Sequence, residues 1–281
     1  MKLATVKRDE TLSWGIIEHE QFYDVGMVLK NLYVDLKSAT AAGLAGVRDA
    51  QKEAKTFSLA ELNWQPVIPN PEKILCVGLN YEMHRQETGR AEVAHPTIFA
   101  RFANSQTGHM APIVRPKNSI ELDYEGELAV IIGKAGRYIN KENAALHIAG
   151  YACYNDGSIR DYQRHSIQFT AGKNFPDTGA FGPWMMTPDE IGPLDELKLQ
   201  TRLNGQVVQE ARFNQMIFDI PTQIAYCSSF TRLEPGDIIV SGTPGGVGAK
   251  RNPPLWMRPG DVVEVEVDRL GVLKNHIIDE G

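Results

Sequence analysis

Cysteine is scarce in this chain, and what there is cannot form a framework. Cys76, Cys153 and Cys227 lie far apart, so there is no CxxC unit, and an odd number leaves one over in any pairing scheme. Each sits in an apolar run (ILCVG, GYACYN, IAYCSSF), which reads as a buried small hydrophobe rather than a nucleophile. A reducing cytoplasm fits that usage best. No stretch approaches the ~20 apolar residues of a membrane span, and the opening MKLATVKRDETLSWG carries no apolar signal segment. The expectation is a cytoplasmic protein that is neither exported nor inserted into a membrane. A surplus of positive charge is also missing: 29 Lys and Arg face 35 Asp and Glu, for a net charge of -6. Phosphate binding needs clustered cations, so nucleic acid is not expected as a partner.

What is present is an ordinary globular composition, 42% hydrophobic and 23% charged over 281 residues, ample for a core that needs no staples. Residues 1–65 read as a small N-terminal α/β domain. Strand candidates around Leu3 to Val6, Trp14 to Ile17 and Phe22 to Asp24 precede helical patterning from about Ala41 to Lys55. The segment 66–71, PVIPNP, has three prolines in six residues, which remove backbone donors and fix φ, so a stiff connector and a domain boundary are expected there. Residues 72–281 then carry many short β-type runs, among them KILCVGLNY, PTIFARF, ELAVIIG, DIIVSG and DVVEVEVDRLG. Two of these follow Pro-Gly turns, Pro235-Gly236 and Pro259-Gly260, where glycine suits a positive φ at the third turn position. Helical patterning is confined chiefly to Lys141 to Leu146 and Met216 to Ser229, which disfavours a doubly wound sheet. The larger part is expected to have its own core, with residues 1–65 packed outside it.

Several constellations carry possible chemistry. In Asp123-Tyr124-Glu125-Gly126-Glu127, a strand period of two puts Glu125 and Glu127 on one face. Adjacent carboxylates on a buried face need a cation, a proton or water between them, and a solvated edge strand is the plainer alternative. Asp156, in Tyr154-Asn155-Asp156-Gly157, ends an apolar run, where it can serve a site, a turn or a helix cap. His84 and Glu87 are three apart and would share one helical face as an acid/base pair. The turn SGTPGGVG, 241–248, fails both glycine-rich nucleotide fingerprints, and reads better as a tight turn bringing backbone and the Thr243 hydroxyl close to a small ligand. Lys173, among small and aromatic residues, is a candidate substrate clamp or a surface lysine.

Taken in order, VGLNYEMHRQETG, PTIFARFANS, LDYEGELAVIIGK, GYACYNDGSIRDYQ, AGKNFPDTGAFGPW, MIFDIPTQIAYCS and DIIVSGTPGGVG resemble the catalytic domain of the fumarylacetoacetate hydrolase family, from about Lys73 to the end. That resemblance implies an α+β, β-rich fold, a mixed barrel-like β-roll with few helices behind a small N-terminal domain, and a homodimer. It implies magnesium, manganese or calcium bound by Glu125, Glu127 and Asp156, a lid dyad of His84 and Glu87, and substrate contacts at Arg160, Gln163, Lys173 and Thr243. Arg101 stands where many members carry Lys, and its planar fork would read a substrate carboxylate differently from a point charge. Three carboxylates suit a hard cation and leave room for a chelating 2-oxo acid.

The expected reaction is hydrolysis of a C–C bond in a 2,4-dioxo acid of the acylpyruvate or fumarylpyruvate type. His84 would activate water, while Lys173 and Arg160 offset developing charge. Decarboxylation, isomerisation or hydration of oxaloacetate-like or unsaturated 2-oxo acids at the same metal is the alternative. A non-catalytic carboxylate-binding module is the reading from another class, and it leaves Lys173, His84 and Glu87 without a task.

Overall fold

A computed structural model describes residues 1–8, 10–89 and 91–281. Its architecture is β-rich and mixed, with few helices. The main sheet has twelve strands and a second has five, with a two-stranded ribbon, Leu122–Asp123 with Ser158–Ile159, beside them. Most neighbours are antiparallel, but Ile238–Val240 runs parallel to Ile74–Gly78, and Gly271–Asp279 runs parallel to Ile113–Arg115. Among the described residues no helix is long and apolar enough to cross a membrane. All three cysteines are buried and free.

The central strand, Gly126–Ile132, lies between Ile148–Asn155 and Ile238–Val240 and is buried along its whole length. Its alternation divides two cores. Leu128, Val130 and Ile132 join Leu199, Val263, Val265 and Leu273 of the five-stranded sheet. Ala129 and Ile131 face the other way, toward Leu3, Trp14, Ile16 and Leu36. A strand covered on both faces cannot be a solvated edge, so that alternative for the acidic segment is excluded.

One apolar cluster draws only on residues beyond 72, as a core of the larger part's own would, but residues 1–65 do not stand wholly outside the rest. The strand Lys2–Arg8 pairs with Gly179–Met186, Lys2 opposite Met186 and Leu3 opposite Met185, and so extends the main sheet. Residues 1–65 therefore share an apolar cluster with the larger part. The physical reason is that the outer strand of that part offers unpaired backbone groups and an open apolar face, and the N-terminal strands satisfy both. The helix expected over 41–55 is also broken. Leu36–Ala41 ends before Gly43, and Val47–Ala50 begins after Gly46, both glycines with positive φ (65° and 73°). Elsewhere the local signals hold: Gly236 and Gly260 have φ of 86° and 91°, and the helix Ile220–Phe230 starts behind an Asp219 cap with proline in its first turn.

A candidate metal centre beside a histidine relay

The acidic segment joins the two-stranded ribbon to the central strand of the main sheet. Glu125 sits between the strands Leu122–Asp123 and Gly126–Ile132, and Glu127 is the second residue of the latter. Asp156 follows the strand Ile148–Asn155, and its N–H donates to the Glu125 carbonyl (2.8 Å), which fixes the two loops against each other. Oxygens of the three carboxylates lie within 4.8 Å of one another, and all three side chains are buried. Gly242 completes the floor. Its N–H donates to Glu127 Oε2 (2.5 Å) from a backbone at φ 102°, and a Cβ there would come within 2.6 Å of Asn80 Cβ. The glycine-rich turn thus brings its backbone against the acidic cluster.

Three cations balance these acids. Lys173 Nζ donates to Glu125 Oε2 (2.5 Å) and Asp156 Oδ2 (2.6 Å). Arg160 reaches Asp123 Oδ2 (2.8 Å), Glu125 Oε1 (2.6 Å) and Gln163 Oε1 (2.9 Å) with its three nitrogens. Arg101 pairs with Asp156 and donates to the Gly157 carbonyl (2.9 Å) and Thr178 Oγ1 (3.0 Å). The ionisations follow from this geometry. Burial pushes Glu125 up, but Arg160 and Lys173 together outweigh it and hold the carboxyl far below its ordinary range. Glu127 has no cation of its own, so burial, and then the charges of Asp156 and Glu125, raise it well above normal. Burial pulls the Lys173 ammonium down, yet Asp156 and Glu125 prevail and raise it.

A cavity of about 340 Å³ opens over Glu125 and Glu127, and His84, Arg160, Gln163, Lys173 and Thr243 also line it. His84 belongs to the helix Glu82–Thr88, and its Nδ1 lies 2.7 Å from Glu87 Oε1. Glu87 Oε2 accepts from the Gly246 N–H (3.0 Å), so the carboxylate is an acceptor at both oxygens. Facing a carboxylate, Nδ1 carries the hydrogen, and Nε2 is the ring nitrogen outside this contact. The helix is aimed by Leu79, at φ 59°, and by Asn80, whose side chain bonds Phe218 and Ser241 backbone groups (2.7–3.0 Å). Thr243 Oγ1 donates to the Gly126 carbonyl (3.0 Å) and accepts from Gln209 (2.8 Å).

Arg101 departs from expectation. It is 2% exposed and absent from the cavity wall, braced behind Asp156 rather than facing a ligand. Asp123, to which the sequence motif assigns no role, is central: it accepts from Arg160 and from the N–H groups of Gly248 (2.8 Å) and Ala249 (2.9 Å). The signal was available, since the period of two that pairs Glu125 with Glu127 also includes Asp123. Asn80 and Gln209 carried no such signal, because their partners are distant in sequence.

The donor set fits a hard divalent cation. Oxygens within 4.8 Å of one another can all reach one ion at roughly 2.0–2.6 Å. The formal charges agree: Asp123, Glu125, Glu127 and Asp156 outnumber Arg101, Arg160 and Lys173 by one, and Glu127 bears the excess. A bound dication would turn that deficit into a single positive charge, the complement of one substrate carboxylate.

The sequence pattern of the fumarylacetoacetate (FAA) hydrolase C-terminal domain matches residues 73–278, well over half of the chain. The chain belongs to the fumarylacetoacetate hydrolase family. Within this family it is 39% identical over 267 residues to the mitochondrial oxaloacetate tautomerase FAHD2A of Bos taurus, a match covering 94% of this chain and 84% of that protein. It is 41% identical over 226 residues to the oxaloacetate tautomerase YisK of Bacillus subtilis (strain 168), covering 79% and 75%. The maleylpyruvate hydrolase of Sphingobium sp. SYK-6, solved with manganese(II) and pyruvate, superposes over 100% of both chains with a TM-score of 0.83 and 25% identity.

Proposed function

We propose that this chain is a divalent-metal-dependent isomerase that interconverts the enol and keto forms of a 2-oxo acid of the oxaloacetate type. The observation that carries the reading is the enclosure of His84, oriented by Glu87, in the same cavity as Glu125 and Glu127. A tautomerase needs one group to take a proton from the enol oxygen and return one to the adjacent carbon, and His84, with Nε2 outside the Glu87 contact, would be that group. Glu125, Glu127 and Asp156 would hold magnesium, manganese or calcium, and the ion would withdraw electrons from a chelating 2-oxo carboxylate. Arg160 and Lys173 stabilise negative charge that develops on the substrate. The Gln163 amide nitrogen stays available as a donor, since its oxygen is taken by Arg160.

Hydrolysis of a 2,4-dioxo acid, the reaction expected first from sequence, becomes the second reading. It is favoured by the likeness to a maleylpyruvate hydrolase and by the capacity of the same His–Glu pair to activate water. Greater identity to two oxaloacetate tautomerases supports isomerisation over it. The test follows the ultraviolet band of enol-oxaloacetate with magnesium or manganese, while a coupled assay watches for pyruvate. The proposal expects faster loss of the enol without pyruvate release, and His84→Ala should slow it about 10² to 10⁴-fold with metal affinity nearly unchanged. An enol band that decays as in buffer, or pyruvate formed from acylpyruvates at the faster rate, would overturn it.

A further inference from the structure

Four Lys or Arg side chains line the cavity: Arg160, Arg164, Lys173 and Lys250. Three are already committed to acids of this chain. Arg160 holds Asp123 and Glu125, Lys173 holds Glu125 and Asp156, and Arg164 holds Glu121 at 2.5 Å. Lys250 is different: among the described residues its ammonium has no hydrogen bond and no acidic partner, and it is exposed at the wall of the same cavity. Its backbone is nevertheless tied to the site. The short turn Gly248–Lys250 is held by two N–H bonds to the Asp123 carboxylate, and the same carboxylate holds Arg160 against Glu125. Asp123 thus fixes the start of the Lys250 side chain relative to the acidic floor.

We infer that Lys250 is a specificity-determining residue which receives the distal carboxylate of a dicarboxylic 2-oxo acid. A 2-oxo acid that meets the floor of the cavity through its carboxylate and keto oxygens leaves its far end toward the mouth. A methyl group there needs no partner, whereas a second carboxylate needs a cation not already paired, and Lys250 meets that need. A lysine suits the task because its flexible stem lets a point charge follow acids of differing length. The inference takes the 2-oxo acid class from the proposed function but does not depend on which reaction follows binding.

The test measures dissociation constants by calorimetry on magnesium-loaded protein for two pairs of acids matched in length, oxaloacetate with 2-oxobutyrate and 2-oxoglutarate with 2-oxopentanoate. Wild-type protein should bind at least one diacid more tightly than its partner. Lys250→Gln should reduce that ratio about tenfold, the worth of one charge-assisted hydrogen bond, with the monoacid constants within about twofold. Lys250→Glu should reduce the ratio further, and added salt should weaken the wild-type preference while leaving the Gln variant unmoved. A ratio unchanged in Lys250→Gln for both pairs would overturn the inference, as would wild-type protein that binds diacid and monoacid equally or binds neither. Enol loss is recorded separately. Protein with a Lys250-dependent ratio that does not speed enol loss refutes the tautomerase reading and upholds this one, and a tautomerase whose ratio ignores Lys250 does the reverse.

Discussion

Replacing Lys173 by Met keeps much of the side chain's length and removes its charge. In the wild type the residue is 1% exposed and bridges Glu125 and Asp156 at 2.5 and 2.6 Å. Without the ammonium, Glu125 retains Arg160 and Asp156 retains Arg101, while Glu127 retains only the Gly242 N–H. Breaking a buried ion pair costs about 3–5 kcal/mol. Each partner here keeps one arginine, so the lower end, about 3 kcal/mol, is expected. In a domain of this size, each kcal/mol shifts Tm by about 2–4 °C, so melting in a chelator should fall by about 6–12 °C. A dication can replace the lost charge, so magnesium should raise the variant's Tm by more than the wild type's. Thermal unfolding of both proteins, in chelator and in excess magnesium, reads both effects. Equal melting in chelator, or an equal gain from magnesium, would refute the account of Lys173 as the ammonium that neutralises these acids.

Gly242→Ala should cost about 1–3 kcal/mol, because alanine must adopt φ 102° with its Cβ 2.6 Å from Asn80 Cβ, and metal affinity should drop as the Glu127 contact shifts. Parallel melting and metal titration check it, and a variant as stable as the wild type would contradict it. His109, half-buried and accepting from the Lys274 N–H (3.1 Å), is pushed down to about 4, first by desolvation and then by Lys274. The folded form thus prefers neutral imidazole, so its contribution is complete above the unfolded value of about 6.5 and is lost as pH falls toward 4. Urea unfolding at pH 7.5 and 5 should show less acid destabilisation in His109→Gln, by at most about 2 kcal/mol, and identical losses in both proteins would exclude the assignment.

Much of the site was legible because it is written in local periodicities. The period of two placed Glu125 and Glu127 together, the helical spacing placed His84 over Glu87, and the family resemblance added Asp156 and Lys173, which the structure gathers at one point. Arg101, where the chain departs from the Lys of many family members, pairs with Asp156 instead of lining the cavity, because a cation at the end of a strand can face either and only the three-dimensional arrangement decides. The fold followed the same division. Pro-Gly turns and short apolar runs announced the strands, whereas the pairing of Leu3 with Met185 joins residues far apart in sequence and has no local signal. Texture therefore separates an apolar cluster drawn only from residues beyond 72 from the small one around Phe22 and Trp64, but it does not reveal the cluster that the two parts share. Gly43 and Gly46, both at positive φ, are the local signal of the break in the N-terminal helix.

The account rests on three buried carboxylates forming one divalent-metal site, and Glu127 is the member whose behaviour separates that idea from a purely structural acid cluster. Glutamine at this position has the shape of the protonated acid and removes the charge that burial, Asp156 and Glu125 oppose. The decisive measurement is an electron paramagnetic resonance titration of manganese(II) into wild type and Glu127→Gln, with melting temperatures recorded in chelator. One tightly bound ion per wild-type chain is predicted, lost in the variant at the same concentrations, together with a variant melting temperature at or above the wild type's. Unchanged manganese binding by Glu127→Gln, or none by the wild type, would contradict the metal centre and with it the proposed enol chemistry.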